Sequence, residues 1–129
     1  MGEILIINNF EKDWGKFIQV YAENGLYLWF GSGRFLHGHI FNDLLNALKI
    51  PYNTFEEGFD DGESVSSIKI PKKKGKNYEL IGAGLFKKEE GKYFLYDNSS
   101  SYWIGPNKAH ADEISKITGL EFIIQQNDR

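Results

Sequence analysis

Residues 65–96 read VSSIKIPKKKGKNYELIGAGLFKKEEGKYFLY, and the fold class turns on how this stretch divides. Three runs, Val65–Ile70, Tyr78–Phe86 and Tyr93–Tyr96, are rich in aliphatic and aromatic residues and read as strands. The polar segments KKKGKN and KKEEGK between them read as turns, so the second half is hairpin-rich. Moving toward the C-terminus, Asn98-Ser99-Ser100-Ser101 forms a loop and Tyr102–Ile104 a short further strand. Gly105-Pro106-Asn107 opens a helix, with Pro106 suited to the first turn. Ala111, Ile114 and Ile117 supply its inward face, and Gly119 closes it. Leu120–Ile124 is a last strand before a frayed tail.

Moving toward the N-terminus, Pro51 stops a helix running from about His39 to Lys49, with Ile40, Phe41, Leu44, Leu45 and Leu48 as its buried stripe. Gly31-Ser32-Gly33 is a turn between a strand at Leu26–Phe30 and a returning arm at Arg34–His37. Trp14, Phe17, Ile18 and Tyr21 fall at i, i+3, i+4 and i+7. That spacing predicts a helix capped by Asn9 and running through Val20, with Gly25 beyond its end. Glu3–Asn8 reads as a strand. Helices scattered among strands give a single α+β domain over residues 1–129. Its sheet is mainly antiparallel or mixed, with about six to seven strands, and three helices accompany it.

The 129 residues suit one core. Aromatics reach 16%, far above what disordered chains carry, so a packed interior is expected. Fifteen Lys and Arg against eighteen Asp and Glu leave a net charge of −3, which argues against general nucleic-acid affinity. The chain has no cysteine, excluding disulfides, thiolate metal sites and a cysteine nucleophile. The start MGEILIINNFEKDW does not resemble a secretory signal, and no stretch reaches the roughly 18 apolar residues of a membrane span. Cytoplasmic is the expected location.

The most unusual segment is YNTFEEGFDDGE, residues 52–63. Five carboxylates (Glu56, Glu57, Asp60, Asp61 and Glu63) fall within eight residues, interleaved with Tyr52, Phe55 and Phe59. Like charges at this density belong at a surface, and the segment reads as an acidic loop. Asp60-Asp61-Gly62 lacks the alternating ligands of a calcium loop. Lys72, Lys73, Lys74 and Lys76 read as a turn whose charges discourage edge-to-edge sheet pairing.

His37-Gly38-His39 offers two imidazoles where a zinc site needs three or four ligands, so it reads as the entry to a helix. Gly31-Ser32-Gly33-Arg34 lacks the ending of a phosphate loop. Asp97-Asn98-Ser99-Ser100-Ser101 lacks the frame of a nucleophile elbow. No metal and no cofactor is therefore expected, and no catalytic residue is assigned.

A small, acidic, cysteine-free, aromatic-rich α+β profile is similar in character, though not in any diagnostic motif, to bacterial immunity proteins. That resemblance implies a cytoplasmic, non-enzymatic inhibitor that binds a cognate, basic, nuclease-type toxin domain. On this reading Tyr52, Phe55, Glu56, Glu57, Phe59, Asp60, Asp61 and Glu63 form the partner-binding surface. The carboxylates provide long-range attraction, and Phe55 and Phe59 act as apolar anchors. Direct contact with nucleic acid or membrane is not expected. The competing expectations are a metal-independent hydrolase or nuclease built on Arg34, His37 and His39, and a structural subunit of a larger complex.

Overall fold

An inner strand stands where the Trp14–Tyr21 spacing suggests a helix. The computed structural model describes the backbone of residues 6–60 and 65–125, and side chains over that range except 57–60 and 65–67. Strand β1 (Trp14–Ala22) pairs antiparallel with β2 (Gly25–Gly31) on one side and with β5 (Tyr78–Glu89) on the other. Phe17, Ile18, Gln19 and Val20 are all buried, because both faces of this strand are covered. A strand buried on both faces carries a near-continuous apolar run, which mimics helical spacing. β-branched and aromatic residues favour the pleated backbone, and tertiary pairing decides the outcome.

The remaining elements among the described residues are α1 (His37–Leu48), β3 (Thr54–Asp60), β4 (Val65–Pro71), β6 (Lys92–Tyr96), α2 (Lys108–Thr118) and β7 (Glu121–Gln125). The main sheet is five-stranded and mixed, in the order β2-β1-β5-β6-β7, and β3-β4 is a separate two-stranded sheet. Among the described strands the β6–β7 pair alone is parallel, since α2 carries the chain across between them. The α+β class thus agrees with expectation, but among the described residues the strands divide into sheets of five and two where one sheet of six to seven is expected, and two helices stand where three are expected.

Four more expectations change. Arg34–His37 is no hairpin arm: it leads into α1, whose first residue is His37. Tyr102–Ile104 is no strand but part of a turn closed by a bridge between Ser99 and Ile104. Ile117 does not face inward. It is 57% exposed, and α2 buries only His110, Ala111 and Ile114. Pro106 also lies outside the first turn, because Asn107 is the cap, its Oδ1 accepting from the His110 backbone N–H at 3.0 Å. Residues 3–5 of the expected first strand lie outside the described residues. Ile6, Ile7 and Asn8 line the free edge of β2. Ile7 bridges Leu28, and the Asn8 side chain donates to the Phe30 carbonyl and accepts from its N–H, each at 2.8 Å. An amide side chain there substitutes for a strand and blunts the edge.

Two apolar layers flank the sheet. On one side α1 presents Ile40, Phe41, Leu44 and Leu45 to Ile18, Val20, Tyr27, Leu80 and Ala83, with Ile70 and Tyr102 completing the cluster. On the other, Ala111 and Ile114 of α2 meet Phe17, Leu28, Phe30, Phe86 and Leu95. Gln19 ties α2 to the sheet: its Oε1 accepts from Asn107 N–H at 2.7 Å, and its Nε2 donates to the Asn107 carbonyl at 2.9 Å. No helix among the described residues is long and apolar enough to cross a membrane.

Candidate interaction face

The β3–β4 hairpin grows out of the core rather than looping over it. Its register sets Phe55 opposite Ile70 and Glu56 opposite Lys69. Ile70 is fully buried, and Phe55 is half-buried with its ring edge-on to Tyr102 (centroids 5.9 Å apart, 82° between planes). The base of the hairpin is thus fastened by apolar packing, while Glu56 and Lys69 face solvent.

The expected acidic loop over 52–63 is accordingly corrected: Thr54–Asp60 is strand β3. Its alternation hid behind the charges, because glutamate and glycine dilute the apolar positions. Tyr52 is half-buried, its hydroxyl held between the side-chain oxygens of Asn42 and Asn46 on α1, the latter at 3.2 Å. Tyr52 and Phe55 therefore serve the hairpin's attachment. Glu57, Phe59 and Asp60 lie in β3 opposite Ile68, Ser66 and Val65. Asp61 and Glu63 lie outside the described residues.

Next to the hairpin base, residues 97–105 make a tightly bonded turn. Ser99 is buried and acts as its hub. Its N–H donates to the Ile104 carbonyl at 2.8 Å, and its carbonyl accepts from Trp103 N–H at 2.9 Å. Its Oγ accepts from Tyr102 N–H at 3.2 Å. Tyr102 turns inward, and its hydroxyl donates to the Pro71 carbonyl of β4 at 2.6 Å. Trp103 turns outward and is 89% exposed, with φ at +55°. Such a left-handed backbone costs a residue with a Cβ roughly 1–2 kcal/mol, so the surrounding bonds must enforce it. The chain thus presents a tryptophan to water on a braced turn. Trp103 was missed from the sequence because YWI between serines and Gly-Pro passes for a strand. The signal that points to it is a tryptophan bracketed by Asn98-Ser99-Ser100-Ser101 and Gly105-Pro106.

Arg34, His37 and His39 have other roles. His37 is buried, and its Nε2–H donates to the Gly84 carbonyl at 2.8 Å. Burial pushes its pKa down to about 4, against the opposing pull of that hydrogen bond, so the ring is neutral at pH 7. The Nδ1 of His39 accepts from the Leu36 N–H at 3.1 Å, capping the first turn of α1. Gly38 separates them for a packing reason. A Cβ there would lie 2.4 Å from Ile70 Cβ, so glycine alone lets α1 close onto β4. Arg34 is exposed. Elsewhere His110, fully buried, has its pKa lowered to about 4 by desolvation, and its Nε2 faces the Val20 carbonyl at 3.4 Å. Among the described residues no three His, Cys, Asp or Glu side chains are grouped to hold a metal ion.

Comparison with protein-family models and with curated proteins returns no match.

Proposed function

We propose that this chain is a protein-binding domain without chemistry of its own. It engages a basic protein partner through the face formed by the β3–β4 hairpin and the Trp103 turn. The setting closest in character is a bacterial immunity protein that neutralises a nuclease-type toxin. The observation that carries this reading is Trp103, 89% exposed on a left-handed backbone. Tryptophan is the side chain most enriched among residues that dominate binding energy. A braced turn also removes much of the ordering cost that a mobile loop would incur on association.

The acidic run supplies the second element. Five carboxylates within eight residues raise the encounter rate with a basic surface and disfavour acidic ones. Tyr102 joins the two parts physically, since it touches Phe55 of β3 and bonds the Pro71 carbonyl of β4. The cysteine-free composition favours a cytoplasmic setting. The hydrolase reading is less well supported, because the backbone engages both His37 and His39.

Affinity capture of the tagged protein from its native host, with mass spectrometry of what stays bound at moderate salt, tests this function. One stoichiometric partner with a basic domain is the expected result. A folded monomer that retains none overturns it. A chain that aggregates alone and is rescued by an acidic or apolar subunit supports the structural-subunit alternative instead.

A further inference from the structure

Where β1 starts and β2 ends, the loop into α1 forms a concavity of ≈ 390 Å³ lined by Lys12, Trp14, Ser32, Gly33 and Arg34. Among the described residues its walls carry two cations and no carboxylate, in a chain whose net charge is −3. The indole of Trp14 rests against the backbone of Gly33. A Cβ at that glycine would stand 2.8 Å from Trp14 Cζ3 and 3.5 Å from Cε3. Glycine thus seats the ring while leaving Trp14 63% exposed.

The loop is fixed around the arginine. Arg34 N–H donates to Ser32 Oγ at 3.2 Å, and Lys16 Nζ donates to the Phe35 carbonyl at 2.6 Å. Arg34 is exposed. We propose that this concavity binds a purine nucleoside monophosphate, the base stacking on Trp14 and the phosphate lying between Lys12 and Arg34. A base stacked on an aromatic ring gains about 1–3 kcal/mol. Guanidinium and ammonium are the side-chain groups suited to a phosphate. The volume falls in the range of small-ligand pockets, roughly 300–1,000 Å³. None of these residues belongs to the acidic hairpin, so this site stands independently of the protein-binding reading.

Calorimetric titration of the full chain with AMP and GMP tests the proposal, with adenosine and inorganic phosphate as partial ligands. Saturable binding of a monophosphate is expected, with each partial ligand weaker by about tenfold or more. Trp14→Ala and Arg34→Ala should each weaken it by about tenfold. Gly33→Ala, which displaces the indole, should weaken it too. Trp14 and Arg34 are exposed, so those two variants should melt with the parent. No saturable binding of either monophosphate below about 5 mM overturns the proposal. So does inorganic phosphate binding as tightly as AMP, or affinity unchanged in both Trp14→Ala and Arg34→Ala.

Discussion

Trp103 concentrates the account at the scale of a single residue. If its exposure and left-handed backbone serve a partner and not the fold, then Trp103→Asn should leave the unfolding midpoint unchanged or raise it. Asparagine tolerates that conformation, and relief of strain is worth up to about 1 kcal/mol. A clear loss of stability would mean that the indole packs against the chain. His37 and His110 give a second residue-level test. Both have folded-state pKa values lowered to about 4, mainly by burial. The unfolded chain, titrating near 6.5, therefore binds more protons than the native state between those limits. Their contribution is intact above about pH 6.5 and is lost as pH falls toward 4, on the order of 2 kcal/mol each by pH 4.5. Urea unfolding at pH 7 and pH 4.5 should show this loss, and His110→Gln should remove part of the slope. An unchanged slope would mean that His110 is not held neutral.

At the scale of elements, the hairpin base is a packing device and should respond as one. Phe55→Ala removes a ring that meets Tyr102 and the main core. Destabilisation of about 2–3 kcal/mol is expected for a half-buried phenylalanine, readable as a shift in thermal midpoint; an unchanged midpoint would return Phe55 to the role of exposed anchor. Gly38→Ala should cost about 1–3 kcal/mol, because its methyl meets Ile70. Neutralising Glu56, Glu57 and Asp60 together should slow association with a basic partner and flatten its salt dependence, leaving dissociation nearly unchanged. Stopped-flow kinetics at two ionic strengths decides this. Legibility also divides by element. The amphipathic helix α1 was readable because only one face of it is buried, and β4 to β6 were readable because their turns are charged. β1 was misread because burial on both faces erases its alternation. β3 was misread because its acidic residues conceal a strand whose register is set by pairing with β4.

At the scale of the molecule, charge and aromatic exposure are distributed unevenly. Glu56, Glu57 and Asp60 belong to the hairpin that stands outside the main sheet, Trp103 follows the Tyr102 that packs on it, and a cation-lined concavity lies where β1 begins. Composition could report an acidic chain with a core, but the turn that carries Trp103 exists only once Tyr102 is pinned to β4 by its bond to Pro71. That contact joins positions 31 residues apart, and no local pattern announces it. The proposed interaction face was therefore half legible: its acids stood out in the sequence, whereas the exposed Trp103 did not. The most direct measurement is the affinity of the captured, purified partner for the parent chain and for Trp103→Ala, by titration calorimetry alongside thermal unfolding of both. Trp103→Ala should lose about 2 kcal/mol or more in binding with equal melting temperatures. Equal affinities from two equally folded proteins would contradict it.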